Sequence, residues 1–204
     1  MTSTLAWAIF VIGAVAGTLN TIGVVASALG WYEYYPPGEK GWKFYSLWGL
    51  SHVLNVSLLA LAYLEWGTLG LPGWTFSTGL VLFIFGYAIA IAAGHDLGFH
   101  ETTGRAGELR TGGWYRFSRN PQYVGYILAT VGYILWTDAV LVVPLAGIYL
   151  LWWFVFPFAE EPWLREQYGE PYEQYAQRIP RYIGSETVRA LGKRGDDAQQ
   201  QTQG

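Results

Sequence analysis

The sequence predicts an all-α integral membrane protein with five transmembrane helices, its N-terminus outside and its C-terminus in the cytoplasm. Three observations carry that expectation. Long runs are free of Asp, Glu, Lys and Arg, the basic residues fall on one side once those runs are counted as helices, and Trp and Tyr crowd the ends of the runs. The runs are Met1 to Tyr32, Phe44 to Leu64, Trp66 to His95, Asn120 to Thr137 and Ala139 to Ala159. Each approaches or exceeds the roughly 20 apolar residues a helix needs to cross hydrocarbon. The spans are expected near 5–29, 45–64, 75–93, 122–136 and 139–158, the fourth being the shortest.

With five spans, the twelve Lys and Arg fall in three segments on one face. These are Lys40 and Lys43; Arg105, Arg110, Arg116 and Arg119; and a C-terminal group from Arg165 to Arg194. The opposite face receives the N-terminus, the Glu65–Trp74 turn and the Thr137-Asp138 turn, which hold no basic residue. The positive-inside rule then puts the basic face in the cytoplasm. Aromatic residues such as Trp31, Tyr32, Trp42, Tyr45, Trp152 and Trp153 mark headgroup level.

The first span lacks a basic flank ahead of it, and its apolar stretch is too long for a signal-peptide core, so it reads as a retained helix. Gly13-x-x-x-Gly17 suits close helix packing. On the second span His52 and Asn55 share a face and are expected to make a hydrogen-bonded interhelix contact. The third span closes at Gly94-His95-Asp96-Leu97-Gly98. There Gly94 or Gly98 serves as a helix C-cap, or the glycines admit a ligand to the backbone while His95 or Asp96 handles a proton. A polar connector, 95–121, follows, of the length at which connectors are functional or disordered.

The fourth span should start at Pro121. Asn120 is a favoured N-cap, proline is favoured at the first helical position, and the residue before a proline is pushed out of the helical region. The free N–H groups of that helix end, with Arg119 beside them, attract a carboxylate or phosphate, or they form only a cap with a positive-inside arginine. A hairpin of spans four and five returns its ends to one face of the bilayer, which brings Arg119 beside Glu160 and Glu161. Two carboxylates at a helix C-terminus oppose its dipole and are costly near lipid unless paired. Arg119 or a bound cation compensates them, or Pro162 restarts a helix and Glu161 becomes its N-terminal flank. Beyond lies an amphipathic interfacial helical segment, 161–178, interrupted near Gly169 and Pro171. One membrane domain, 1–183, and a mobile tail, 184–204, complete the chain.

Composition removes several classes. Without cysteine there is no disulfide, thiolate nucleophile or cysteine–metal site. Three scattered histidines give no metal-ligand spacing, so no metal is expected. The arginines are short and scattered groups rather than a basic helix face, so nucleic acid is not an expected partner.

Two blocks resemble a known family. Leu109-x-Thr111-x-Gly113-x-Tyr115-x3-Arg119-x-Pro121-x-Tyr123-x-Gly125 is similar to the signature of the isoprenylcysteine carboxyl methyltransferase and phospholipid methyltransferase superfamily. Glu160-Glu161-x2-Leu164-x3-Tyr168-Gly169-x2-Tyr172-x2-Tyr175-x3-Ile179-Pro180-Arg181 resembles its C-terminal block. The resemblance implies a membrane enzyme that uses S-adenosyl-L-methionine on the cytoplasmic side, capped by the C-terminal segment, with an acceptor arriving from lipid. It implies catalytic roles for Arg119, Glu160 and Glu161. It implies a cofactor pocket drawn from Gly94, His95, Leu97, Gly98, Leu109, Gly113, Tyr115, Arg119, Asn120, Pro121, Tyr123, Glu160 and Glu161. Many carboxyl methyltransferases of the family have His where this chain has Asn120, whereas Asn120-Pro121 and Glu160-Glu161-Pro162 look closer to phosphatidylethanolamine methyltransferases. The Gly-x-Gly element of the latter has no clear equivalent here.

The expected activity is therefore methyl transfer from S-adenosyl-L-methionine to a membrane lipid or lipid-linked acceptor, a phospholipid headgroup amine or a prenyl-type carboxylate. The alternatives are a sterol-reductase-like, NADPH-dependent membrane reductase and a non-catalytic membrane scaffold. The expected location is the cell membrane, with the active site on the cytoplasmic side; oligomeric state is not legible.

Overall fold

The computed structural model describes residues 3–98, 101–105, 107–184 and Thr187. The expected tail, 184–204, lies outside the described residues except for Gly184 and Thr187. Six α-helices follow in order: α1 (Thr4–Ala28), α2 (Trp42–Leu64), α3 (Trp74–Leu97), α4 (Pro121–Thr137), α5 (Val142–Tyr168) and α6 (Glu170–Arg178). Two short 3₁₀ turns, Glu101–Thr103 and Gly113–Arg116, punctuate the connector, and no strand occurs among the described residues. Helices α1, α2, α3 and α5 are each long and apolar enough to cross a bilayer. With 17 residues, α4 reaches about 26 Å, a little short of the roughly 30 Å hydrocarbon layer.

The first five helices run up and down. At one end the two short loops are laced together: the Gly67 and Leu69 N–H groups donate to the Thr137 and Asp138 carbonyls at 3.1 and 2.8 Å. Asp138, the one charge between Asn120 and Ala159, takes the left-handed conformation at the α4 C-cap, and its carboxylate accepts the Leu71 N–H at 2.9 Å. At the other end, the α1–α2 loop meets the connector through Gly38 N–H and the Gly104 carbonyl, 3.1 Å. Every Lys and Arg among the described residues belongs to this second end.

Packing follows small residues, as expected where lipid removes the hydrophobic drive between helices. A Cβ at Gly13 would lie 2.6 Å from Ser57 Cβ on α2, and one at Gly17 would lie 3.0 Å from Ile148 on α5, so the expected close-packing motif seats α1 against both. The tightest contact is between α3 and α4. Gly79 and Gly86 face Gly132 and Gly125, and a Cβ at any of the four would meet backbone of the other helix at 2.4–2.6 Å. One heptad separates the glycines on each helix, so they share a face and let the two backbones touch. Buried polar groups tie the rest. Asn20 on α1 donates to the Leu47 carbonyl and Ser51 Oγ of α2, both at 3.1 Å, and accepts from the Tyr34 hydroxyl at 2.8 Å. Asn55 makes the expected interhelix bond, accepting from Tyr149 of α5 at 3.1 Å. His52 does not: its ring is exposed and bonds only the Trp48 carbonyl of its own helix.

Helix α5 departs most from expectation. It neither ends near residue 158 nor restarts at Pro162 but continues through Pro157 and Pro162 to Tyr168. A helix-interior proline removes an N–H and crowds the carbonyl four residues back. For Pro157 that carbonyl is Trp153, and the Tyr182 hydroxyl reaches it at 3.3 Å and the Phe154 carbonyl at 2.7 Å. The C-terminal segment thus supplies the donor the proline withholds. The break falls at Gly169, which has a positive φ of 56°, and Pro171 sits in the first turn of α6 rather than interrupting it.

Candidate active site

The glutamate pair lies inside a continuous helix, so each residue is turned about 100° from its neighbour. That rotation separates them. Glu161, 3% exposed, points to a cluster of arginines, and Glu160 points into a cavity.

The Glu161 cluster joins three segments. Arg181 grips both carboxylate oxygens with Nε at 2.6 Å and Nη2 at 2.7 Å. Arg119 Nη1 lies at 3.1 Å and Arg165 at 3.6 Å. Backbone pairing reinforces the joint: Arg119 N–H donates to the Pro180 carbonyl at 2.9 Å. Asn120 occupies the N-cap position of α4 but makes no side-chain cap. Its amide instead donates to the Arg181 carbonyl at 3.0 Å, and Ser118 Oγ donates to the same oxygen at 3.2 Å. The segment before α4 and the segment after α6 are therefore held together, and this long-range pairing displaces the local cap. The expected neighbourhood of Arg119 and the glutamates holds for Glu161 alone.

Glu160 pairs with no cation among the described residues. Its Oε1 accepts from Tyr123 at 2.7 Å and from Tyr35, and the two tyrosine hydroxyls are 2.9 Å apart. Tyr35 comes from the α1–α2 loop, 125 residues away in sequence. Burial, followed by the adjacent Glu160 carboxylate, pushes the Tyr35 hydroxyl well above the usual tyrosine range, so it remains a donor. No described residue bonds the other oxygen, Oε2.

This trio lines a cavity of ≈ 360 Å³, within the size range of small-molecule sites. One half lies among the connector and C-terminal segment, lined by Leu97, Leu109, Tyr115, Leu164 and Tyr168. Buried Tyr172 and Tyr175 close that half from α6, with the Tyr175 hydroxyl on the Tyr115 carbonyl at 2.7 Å and Tyr168 on Gly107 at 2.8 Å. Burial pushes the Tyr172 hydroxyl up to about 12, so it too stays neutral. The other half runs between the long helices to Trp48, Asn55, Tyr87 and Tyr149. Tyr149 precedes Glu160 by eleven residues on α5, about 16 Å along the helix. Its wall is aromatic: Trp153 stacks on Tyr126 at 4.5 Å and on Tyr123 at 5.8 Å.

Among the expected site residues, Leu97, Leu109, Tyr115, Arg119, Asn120, Tyr123 and Glu160 line the cavity. Gly94, Gly98, Gly113, Pro121 and Glu161 shape it from behind. Gly98 is the α3 C-cap, donating to the Gly94 carbonyl at 3.0 Å. Gly113 lets Asp96 approach, since a Cβ there would lie 2.0 Å from its carboxylate, which accepts the Trp114 N–H at 3.0 Å. Asp96 thus anchors the connector. His95 is exposed and lies outside the cavity wall, which removes it from the expected pocket: it falls at the end of α3 on the face turned away. Sequence reasoning missed Tyr35, Gln122, Tyr126 and Trp153. Only their placement on the face shared with Arg119 hinted at them.

The molecule is an all-helical bundle, with four helices long and apolar enough to cross a membrane, around one cavity lined by both the connector and the long helices. Residues 74–171 match the phospholipid methyltransferase family. That stretch, a little under half of the chain, is a phospholipid methyltransferase domain, within the superfamily of isoprenylcysteine carboxyl and phospholipid membrane methyltransferases. The match covers α3 to the first turn of α6, so Tyr35, Trp48, Asn55, Tyr172 and Tyr175 contribute to the cavity from outside it. Neither curated proteins nor solved structures returned a match.

Proposed function

We propose that this chain transfers a methyl group from S-adenosyl-L-methionine to a lipidic acceptor, a phospholipid headgroup amine or a prenyl-type carboxylate. The observation that carries the proposal is a single cavity lined both by the connector and α6 and by the apolar long helices, with Glu160 in its wall. Bound there, S-adenosyl-L-methionine supplies a sulfonium methyl group for in-line displacement. The residues that fit it are of both signs. The Glu161 cluster carries three guanidinium groups for two carboxylates, Glu161 and the Glu173 that pairs with Arg165, an excess that suits the cofactor carboxylate at Arg119, which lines the cavity. Glu160, with no cation beside it, suits a cationic group.

The protein's own part is alignment and the exclusion of water. Tyr35 and Tyr123 fix Glu160 Oε1 and leave Oε2 toward the reacting groups. An amine acceptor must lose a proton, and Glu160 is placed to take it; a carboxylate acceptor needs no base. The membrane domain comprises residues 1–183 with α4 as the fourth of five spans. The basic helix ends and the site face the cytoplasm, as the segregation of Lys and Arg supports.

The test is incubation of purified protein with labelled S-adenosyl-L-methionine and total membrane lipid, followed by identification of the labelled species. A methylated amphiphile is expected. Binding of NADPH without binding of S-adenosyl-L-methionine, or no product from any lipid or prenyl-thioether acid, overturns the proposal.

A further inference from the structure

Gln122 is the one residue between Pro121 and Tyr123, and its polarity in the first turn of an apolar helix calls for a cause. It is 8% exposed and lines the cavity, yet its carboxamide has no hydrogen-bond partner among the described residues. Neither amide atom is fully enclosed, so the unpaired carboxamide opens onto the cavity, where a ligand can satisfy it. Its position is specific: the amide nitrogen lies 2.6 Å from where a Cβ of residue 94 would stand, so Gly94 leaves the notch the carboxamide fills. One turn on from Gly94, Leu97 begins an apolar slot completed by Leu109, Leu164, Tyr115 and Tyr168.

A carboxamide offers one acceptor and one donor side by side, and the matching edge on a flat apolar ligand is that of adenine, an exocyclic amine next to a ring nitrogen. Apolar and aromatic side chains of this kind suit a planar base, and the charged parts of such a ligand fall to Arg119 and Glu160, which line the same cavity. We propose that Gln122 reads the adenine edge of an adenosine-containing cofactor, with Gly94 as the residue that positions it. The assignment rests on reading the cavity as a nucleoside-cofactor site.

The test measures equilibrium binding of S-adenosylhomocysteine, of its analogue with hydrogen in place of the adenine amine, and of NADPH, to wild type, Gln122→Ala and Gly94→Ala. In wild type, removal of the amine should weaken binding about tenfold, and in Gln122→Ala that ratio should fall to near one. Gly94→Ala should reduce the ratio as well, because its new methyl displaces only the end of the glutamine side chain and leaves the helix intact. An unchanged ratio in Gln122→Ala, or equal losses for both probes, overturns the assignment while leaving the methyl-donor reading standing. The same ratio test on NADPH and its amine-free analogue, with no binding of S-adenosylhomocysteine, would keep the adenine assignment and overturn the methyl-donor reading. Failure of wild type to bind any of the three overturns both.

Discussion

Replacing Glu161 by glutamine removes one charge and almost no volume, and it strips three arginines of their shared carboxylate. The three do not lose equally. The Arg119 side chain is 12% exposed, so its guanidinium is left buried without a counter-charge. Arg181 at 30% and Arg165 at 44% recover much of their loss from water, and Arg165 keeps Glu173 at 2.9 Å. Removing one partner of a buried ion pair costs about 3–5 kcal/mol, while exposed pairs contribute about 0–1 kcal/mol. Glutamine retains a carbonyl acceptor for one of the arginine donors, which sets the expectation at the lower end, about 3 kcal/mol. Arg165→Ala should cost no more than about 1 kcal/mol. The assay is denaturant unfolding in detergent micelles, followed by tryptophan fluorescence and circular dichroism. Because the cluster joins the segment before α4 to the segment after α6, under the proposed function any fluorescence change on adding S-adenosyl-L-methionine should be lost together with the stability. If Glu161→Gln costs less than about 1 kcal/mol, or no more than Arg165→Ala, the cluster is a solvated surface network and the reasoning fails.

Glu160→Gln should leave the fold intact and lower turnover of an amine acceptor by about 100-fold or more, the range of general-base removal. Tyr123→Phe should lower it less, because Tyr35 still holds the same oxygen; equal turnover in Glu160→Gln and wild type refutes the assigned role. Gly86→Ala puts a methyl 2.4 Å from the Ala129 backbone nitrogen where ordinary contact begins at 3.4 Å, so α3 and α4 must part. Overpacking of this kind costs about 1–3 kcal/mol, readable as an earlier thermal transition in detergent. Tyr182→Phe withdraws the donor from the Trp153 and Phe154 carbonyls beside Pro157 and should cost about 1 kcal/mol, with no change at the Glu161 cluster. Unfolding coincident with wild type would mean that water serves those carbonyls equally well.

Chain order and residue type were enough to place all five long helices within a few residues at most ends, because span boundaries are set locally by charge, proline and glycine. Pro121 as the first residue of α4 and the turn at Asp138 are local in this sense, and so is the segregation of basic residues at one end of the bundle. The meeting of Arg119 with Glu161 also followed from the hairpin alone. The partners of each glutamate did not. Whether Glu160 and Glu161 face one site or two depends on whether α5 stops or continues at Pro162; it continues to Tyr168, with Tyr182 reaching back from 25 residues beyond Pro157 to the carbonyls that proline leaves without a donor. Once the helix continues, a rotation of about 100° per residue assigns one carboxylate to three arginines and the other to two tyrosines. Tyr35 and Gln122 carry no motif of their own. They join the site through a loop packed across the bundle and a notch left by Gly94, contacts that only the folded chain brings together.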